Sequence, residues 1–587
     1  LQGGDPYNYG AFRLKQGIKS NGHHIYAGTN NISSESQYGW TVAGQYSPPR
    51  KPVNGDKFSG SENVMLDSTD FRVAEGYEKT TDGKTLYMLN DETGRKVVFR
   101  TLDVAPIEVN GGGLTKQHYE TYTAAFEAIG KDGKPTEYSI TNLAPVELTQ
   151  ADAGKLKTMR VQEGTSLVFK SGTENIGTYG KAIYGDRYHI RVEDQMLELP
   201  KGIDVKFENA YLRYMDEQGN DLIVVNNGGS LTFGNVKFIT GESDAVKTMK
   251  PIVYGGSTTE ELTGDSSVIV TADCQAEFQA IYGGGTKAQT GNVTVGIYGG
   301  TVNNPVYGGG EGSDVTGSAT VTVSNDAIAS AGSVYGGGKG GQVTDGATVT
   351  VTLPNKADAD TFNLDTISGS GTDAAGGLAE NVTGTKTVSI AMNDAGSTGI
   401  LQLQNLTGFN NLTLGDANAK AFNNSVFKVS KRFDSKATDP AGAEERTGKV
   451  VLDDSSLILN GDYNGHIGSM DINGISALSI HKESKNITKP LLVDGEVTLK
   501  TNQKLQISAI LDNERTNNEV GDVILRFKNE KNAVPESYAD ASTQGLDVSK
   551  NDTDILFAEP PAHTVESYVE YPGAEAGTLE GTLDTTA

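Results

Sequence analysis

Side chains that could hydrolyse a polysaccharide occur near residue 460 of the sequence. Asp453, Asp454 and His466 supply the carboxylate and imidazole groups that act as acid and base in glycosidase chemistry. Asp454 and His466 are 12 residues apart, about half of the repeat described below, so we expect them to face different sides of the fold. A pair of turn aspartates and a surface histidine is therefore the interpretation we favour.

The segment YGDRYHIRVED offers the residue types of a lyase, a base beside carboxylates that could bind calcium. Strand alternation places Arg187 and His189 on one face and Asp186 on the other. We therefore expect a solvated strand face here rather than a catalytic site.

Three further places in the sequence carry residue types that could bind or react with a ligand, but their spacing is not specific to such a site. The pair His23–His24 lacks a third ligand at metal-site spacing, so no metal site is expected there. Tyr38 and Trp40 could stack on a sugar ring, although a lone tryptophan is more often part of a core. Cys274 is the single cysteine, and we expect it to be a small buried side chain, with an internal thioester as the alternative that its Cys-Gln pair leaves open.

The composition favours strands and turns over helices. The chain of 587 residues contains 73 glycines and only one tryptophan, and its length requires several domains or one repeating array. The net charge of −26 argues against nucleic acid or an anionic membrane as a partner, because both need a basic surface. No run of 18 apolar residues is present, so no membrane span is expected.

An aromatic-glycine element recurs through the middle of the chain, and its copies are 28, 25 and 28 residues apart. We divide each repeat at the first valine of the strand that follows the tyrosine. On this division one half of the repeat has a constant length, and the other half tolerates the loss of three residues, as expected for a stacked arm and a solvent-facing loop. The rows that we predict to stack coil upon coil are the tyrosines Tyr254, Tyr282, Tyr307 and Tyr335 and the inward valines Val268, Val293, Val321 and Val349.

One coil can be divided into three short strands. Residues 293–297 alternate between apolar and polar side chains, 301–302 follow a Gly-Gly turn, and 306–307 follow an Asn-Asn-Pro turn. Equivalent residues of a parallel β-helix lie about 4.8 Å apart in successive coils. The aromatic residue returns because the chain has passed once around the coil.

The repeated VYGGG, TVTV and GGTV motifs resemble the parallel β-helix segments of large exported surface proteins of Gram-positive bacteria, in the pectate-lyase-like superfamily. The resemblance covers roughly residues 250–355. It implies an all-β, right-handed parallel β-helix. It also implies relatives that are polysaccharide lyases or hydrolases, but the Asn-Thr-Asp segment expected of such hydrolases is absent.

The sequence predicts three regions. Residues 1–155 form a β-rich N-terminal capping domain, 156–557 the parallel β-helix, and 558–587 a linker or stalk containing proline, glutamate and threonine. In the first region we expect hairpins over 85–101 and 123–140, with a helix over Gln117–Ile129 as the alternative to the second hairpin. The polar segment 431–448 is expected to project from one coil as a loop.

The expected function is that of an exported, adhesin-type binding protein at the bacterial cell surface, monomeric and without cofactor, metal or catalytic residues. Its partner would be a host or matrix glycan or glycoprotein. An extracellular polysaccharide lyase or hydrolase and a passive structural spacer remain as alternatives. The candidate contact residues are Glu311, Asp314, Lys339, Asp345, Tyr38 and Trp40.

Overall fold

The computed structural model describes most of the chain between residues 105 and 560. The described ranges are 105–143, 146–173, 188–214, 220–240, 247–324, 332–353, 361–392, 400–415, 425–439, 443–460, 463–474, 476–481, 490–500, 505–507, 519–528, 535–539 and 546–560, preceded by the strand segments 27–28, 41–42, 77–79, 85–88 and 98–100. Within these ranges no helix is both long and apolar enough to cross a membrane.

The secondary structure is dominated by short strands, with two helices near the start of the described core. The elements up to residue 171 are β1 (Ala27–Gly28), β2 (Thr41–Val42), β3 (Tyr77–Lys79), β4 (Thr85–Met88), β5 (Val98–Arg100), β6 (Ile107–Gly111), β7 (Leu114–Tyr119), α1 (Tyr122–Asp132), β8 (Glu137–Asn142), β9 (Val146–Leu148), α2 (Gln150–Lys157) and β10 (Ser166–Ser171). They are followed by β11 (His189–Val192), β12 (Met196–Glu198), β13 (Asp204–Glu208), β14 (Tyr211–Tyr214), β15 (Ile223–Val225), β16 (Gly229–Gly234), β17 (Lys237–Thr240), β18 (Lys247–Thr248), β19 (Ile252–Tyr254), β20 (Leu262–Thr263), β21 (Ser266–Val270), β22 (Glu277–Phe278), β23 (Ala280–Tyr282), β24 (Gln289–Thr290), β25 (Val293–Ile297), β26 (Thr301–Val302), β27 (Val306–Tyr307), β28 (Ala319–Ser324), β29 (Ser333–Tyr335) and β30 (Ala347–Leu353).

The remaining elements continue the pattern without a helix in the described residues. They are β31 (Thr361–Ser368), β32 (Gly371–Thr372), β33 (Leu378–Ala379), β34 (Lys386–Met392), β35 (Ile400–Thr407), β36 (Asn411–Gly415), β37 (Ser425–Asp434), β38 (Lys449–Asp453), β39 (Ser455–Asn460), β40 (Asn464–Ile467), β41 (Ser469–Asn473), β42 (Ala477–His481), β43 (Leu491–Val493), β44 (Val497–Leu499), β45 (Leu505–Ile507), β46 (Val523–Phe527), β47 (Ser537–Ala539), β48 (Asp547–Lys550) and β49 (Asp554–Ala558).

Two long sheets of mainly parallel strands build an all-β parallel solenoid. The first, sheet A, stacks thirteen parallel strands in the order β8, β10, β13, β16, β21, β25, β28, β30, β34, β36, β38, β41 and β44. The second, sheet B, stacks β12, β15, β19, β23, β27, β29, β31, β35 and β37 and continues through the strands that follow. Each neighbour in a sheet belongs to the next coil, so the all-β solenoid predicted from the repeat is confirmed. Its right-handedness stays a prediction that rests on the resemblance.

The core lies between the two sheets, because alternate residues of each strand point inward. The predicted division of one coil into three strands is confirmed by β25, β26 and β27. Near the start of the solenoid the inward row is aromatic, with Phe169, Phe207 and Phe233 stacked at 5.2 and 5.8 Å between ring centroids. Further along sheet A an adjacent inward row is aliphatic. It consists of Leu231, Val268, Val295, Val321, Val349, Val388, Leu412, Val450 and Met470, each 0% exposed.

Val293 does not belong to this inward row, contrary to the prediction. Val295 pairs with Val268 on one side and Val321 on the other, whereas Val293 pairs with Ser266 and Ala319. The two valines are two residues apart and share a face, so alternation along one strand could not distinguish them. The three-residue loss assigned to the loop was an artefact of this choice. Both halves of the repeat are shorter in the coil that contains β25.

The loop half of the repeat is also not a simple solvent-facing loop. Residues 257–265, 285–292, 310–318, 338–346 and 371–385 stack in parallel on one another, and we call them the side lobe. Single bridges join Gln289 to Val315, Val315 to Val343 and Val343 to Val382. The lobe therefore repeats in register with the coils. Its own apolar cluster contains Val293, Val315, Ala319, Val343, Ala347 and Val382.

The N-terminal part of the described core differs from the predicted pair of hairpins. The hairpin expected over 85–101 is confirmed by the antiparallel pairing of β4 with β5. The second hairpin is wrong, because 122–132 is helix α1. The alternative of a helix is confirmed in type, although the helix runs over Tyr122–Asp132 instead of Gln117–Ile129. Thr121 caps its N-terminus and Gly133 ends it in the left-handed conformation, with φ of 58°. Of the capping domain predicted for residues 1–155, most of residues 1–104 lie outside the described residues.

Parallel stacking begins and ends differently from the expected boundaries. Strand β8, which lies upstream of residue 156, already pairs in parallel with β10. The buried Phe126 of α1 contacts Phe169 of the first coils. At the other end β49 pairs in antiparallel fashion with β46 and β48, so these strands are not a further coil. Residues 561–587 of the predicted linker lie outside the described residues.

Candidate functional site

The four repeat tyrosines form one continuous aromatic row on the side of sheet B that faces away from the core. Neighbouring ring centroids of Tyr254, Tyr282, Tyr307 and Tyr335 are 5.0, 5.1 and 4.9 Å apart, with ring planes 14°, 6° and 13° from parallel. Each residue is only 3 to 7% exposed. The row therefore holds the side lobe onto the coils rather than presenting rings to a ligand.

Burial dominates the protonation of this row. Loss of water raises the pKa of Tyr254 and Tyr282 above the ordinary value, and it raises the pKa of Tyr307 to about 12. These phenols stay neutral at physiological pH. A neutral stacked row supplies no nucleophile or base for catalysis.

The glycines beside the tyrosines are required by the close approach of successive coils. A Cβ atom on Gly283 would overlap the carbonyl oxygen of Gly308, and one on Gly308 would overlap that of Gly336. Only glycine allows the backbones to approach this closely. The repeated Tyr-Gly-Gly is thus a packing motif of the solenoid.

Glu311 and Lys339, two of the candidate contact residues, bind each other across neighbouring coils of the side lobe. Lys339 Nζ lies 2.9 Å from Glu311 Oε1, and the Tyr254 hydroxyl donates a hydrogen bond to the same carboxylate. Burial alone would raise the pKa of Glu311, but the hydrogen bonds from Tyr254 and Lys339 outweigh it and lower the pKa. Both side chains are about one-third exposed, so this pair fastens the lobe and leaves part of its charge accessible.

Asp314 and Asp345 are exposed on neighbouring coils of the same lobe. Asp314 Oδ1 accepts a hydrogen bond from the Gln342 backbone N–H at 2.9 Å, and the Asp345 N–H donates to the Gly317 carbonyl at 3.3 Å. The structure therefore brings all four candidate residues of the lobe into one region. Tyr38 and Trp40 lie outside the described residues, as does the pair His23–His24.

A row of exposed threonines follows the outer edge of the side lobe. Each member comes directly after a residue of the lobe's parallel bridges, and each is exposed. We call it the lobe threonine row; it consists of Thr263, Thr290, Thr316, Thr344 and Thr383. The sequence pattern of an apolar residue or glutamine followed by threonine could have revealed this row, but only after the loops were aligned coil by coil.

The carboxylate and histidine considered for hydrolysis are in different sheets. Asp453 lies in sheet A, whereas His466 lies in sheet B, where its Nε2 is 3.0 Å from Asp494 Oδ2. They do not form an acid–base pair. The expectation that His466 lies on the surface is wrong, because it is only 6% exposed.

A buried ionic cluster surrounds this histidine, and sequence reasoning missed it. The Arg446 guanidinium contacts Asp434 at 2.6 Å and Asp439 at 2.9 Å, and its side chain is 0% exposed. Arg432 adds a second contact to Asp434 at 2.9 Å. Residues 435–439 and 443–448 are thus fastened to the coils, and the expectation of a projecting loop over 431–448 is wrong.

The remaining chemical candidates have structural roles. His189 is 6% exposed and its ring stacks on Tyr211 at 6.2 Å, so the solvated face expected there is wrong for this residue. Asp186 and Arg187 lie outside the described residues.

Cys274 is 3% exposed, and burial raises the pKa of its thiol, as expected for a small buried side chain. No group of three potential metal ligands occurs in the described part of the chain.

Comparisons with protein-family models, with curated proteins and with solved structures found no match.

Proposed function

We propose that this chain is an exported, adhesin-type binding protein of the bacterial cell surface. In this proposal the solenoid carries its side lobe laterally, and the lobe binds a host or extracellular-matrix glycan or glycoprotein. The observation that carries the proposal is the lobe itself. Five successive coils each contribute a segment that is not needed to close the core, and these segments stack in register.

The chemistry of the lobe edge suits recognition of a polar, repetitive ligand. The lobe threonine row supplies hydroxyl groups, and the exposed carboxylates Asp314 and Asp345 stand next to it. Loop-derived residues on a rigid scaffold are where binding residues concentrate, because the scaffold fixes their positions. The acidic balance and the single cysteine agree with an exposed bacterial location.

Binding of residues 1–587 to an array of host glycans and a panel of matrix glycoproteins tests the proposal. The test variant replaces Thr290, Thr316 and Thr344 together by arginine, which places bulk and charge across the lobe threonine row. Its matched control replaces the exposed Ala272, Gln275 and Thr498, which lie off the lobe, by arginine as well.

We expect saturable binding that the lobe variant loses and the control retains. Equal binding by the two variants would contradict a role for the lobe. No saturable binding to any member of either collection would leave the passive spacer as the better account of the chain. Release of unsaturated or reducing sugar ends would instead support the lyase or hydrolase alternative.

A further inference from the structure

A second regular surface lies on the outward side of sheet A. Successive strands there pair Thr294 with Thr320, Thr320 with Thr348, and Thr348 with Thr387. Two residues further along the strands, Thr322 pairs with Thr350, Thr350 with Ser389, and Ser389 with Thr413. We call these eight residues the hydroxyl face; they are Thr294, Thr320, Thr348, Thr387, Thr322, Thr350, Ser389 and Thr413.

The geometry of the hydroxyl face follows from its strands. Equivalent side chains are about 4.8 Å apart between coils and about 6.6 Å apart along a strand, because every second residue faces outward. All eight residues are exposed or half-buried. The face is therefore a grid of short, evenly spaced polar side chains.

The hydroxyl groups of this grid are available to a ligand. In the part of the chain that the structure describes, none of the eight makes a side-chain hydrogen bond, whereas the nearby Ser267 hydroxyl donates to Ser230 at 2.9 Å. Each hydroxyl can both donate and accept a hydrogen bond. The row of Thr294 continues to Ser267 on strand β21, so the unbonded hydroxyls begin at Thr294 and extend over strands β25, β28, β30, β34 and β36.

An exposed aromatic ring continues the second row of the grid. The position equivalent to Thr322 on strand β25 is Gly296, and the ring of Tyr298 occupies the space that a side chain there would fill. Cε2 of that ring is 2.8 Å from the position of the missing Cβ. Tyr298 is 38% exposed. It adds an apolar surface with a polar tip at the end of the hydroxyl grid.

Charge and polarity narrow the class of partner. None of the eight residues is charged, so the face offers no ion pair to a polyanion or a polycation, and the net charge of −26 of the whole chain repels a polyanion. It also lacks the large apolar side chains that form the centre of protein interfaces. An uncharged ligand rich in hydroxyl groups complements it, and the apolar face of a sugar ring can pack on Tyr298.

We propose that the hydroxyl face binds an extended, uncharged polysaccharide. The chain of sugars would lie along the coil axis, with its hydroxyl groups bonded to the threonine rows and one ring packed on Tyr298. This inference rests on the proposed binding function and gives it a ligand class and a second surface, distinct from the lobe threonine row.

Affinity electrophoresis of residues 1–587 tests this proposal. The gels contain neutral polysaccharides (hydroxyethyl cellulose, xylan, mixed-linkage glucan or mannan) or, for comparison, the polyanions polygalacturonate and heparin. One variant replaces Thr320, Thr322, Thr348 and Thr350 together by valine, which keeps the side-chain shape and removes the hydroxyls. Its control replaces the same four by serine, and the pair Tyr298→Ala and Tyr298→Phe tests the aromatic ring separately.

We expect retardation by at least one neutral polysaccharide. The valine variant should bind about tenfold or more weakly, because several hydrogen bonds are lost together, and the serine variant should bind close to the parent. Tyr298→Ala should weaken binding while Tyr298→Phe retains it. Melting temperatures check that each variant folds. If the valine variant does not fold, the comparison of Tyr298→Ala with Tyr298→Phe tests the binding surface instead.

Three outcomes would overturn the proposal: no retardation by any neutral polysaccharide, retardation by polyanions alone, or equal binding by the valine and parent chains. If array ligands are still bound while neutral polysaccharides are not, this inference fails and the proposed function stands. If neither set is bound, both fail.

Discussion

Arg446 shows how a single residue can reverse the interpretation of a segment. Its sequence neighbours include two glutamates and a glycine, a context typical of a solvated loop. In the folded chain its guanidinium is fully buried between Asp434 and Asp439. Sequence alone could not predict this, because Asp434 belongs to strand β37 and the two meet only through the return of the chain.

We expect Arg446→Met to lower the free energy of unfolding by about 3 kcal/mol or more, because it leaves Asp434 buried without its main cationic partner. Lys436→Met is the matched control. Lys436 pairs with Glu444, whose side chain is 65% exposed, and removal of such a surface pair costs less than about 1 kcal/mol. Urea denaturation of both variants measures the difference, and equal midpoints would contradict the importance of the buried cluster.

At the scale of elements, the sequence predicted strands well where side chains alternate and turns are marked by glycine. Strands β25, β26 and β27 were predicted within one coil. The region of helix α1 was predicted as a hairpin, with a helix as the alternative, because an Asp-Gly pair such as Asp132-Gly133 is typical of the tip of a hairpin. The deciding contact, Phe126 against Phe169, is a tertiary interaction that propensity cannot reveal.

The inward and outward positions of one strand should respond in opposite ways to a charge. Val321→Asp places a carboxylate in the core between Val295 and Val349, where it has no partner, and should unfold several coils. Thr322→Asp, the next residue on the same strand, faces outward and should change the melting temperature little.

Circular dichroism melting of the two variants makes this comparison. A melting temperature for Val321→Asp close to that of the parent chain would show that residue 321 is not inside the solenoid.

At the scale of the whole molecule, the same rows run through thirteen parallel strands of sheet A, which corresponds to about 58 Å along the coil axis. The pairing register between successive coils therefore determines which residues form the side lobe, the lobe threonine row and the hydroxyl face. The tyrosine repeat was sufficient to predict the solenoid, but the side lobe and the valine row required the true pairing of coils. A shift by two residues preserves the inward face, and only contacts between coils remove the ambiguity.

Disulfide trapping across two coils tests this register most directly. Thr294 pairs with Thr320 in the structure, so their Cα atoms are about 4.8 Å apart, within the range that a disulfide spans. The register that places Val293 in the inward valine row would instead pair Thr294 with Thr322, which is diagonal in the structure, at about 8 Å. The two double variants are Thr294→Cys with Thr320→Cys and Thr294→Cys with Thr322→Cys, in a chain whose single native cysteine, Cys274, is buried.

Mass spectrometry after mild oxidation, with thiol counting, measures the crosslink. The structure predicts a rapid intramolecular disulfide in the 294/320 variant and free thiols in the 294/322 variant. The reverse result would contradict the coil register, and with it the placement of the side lobe and the hydroxyl face.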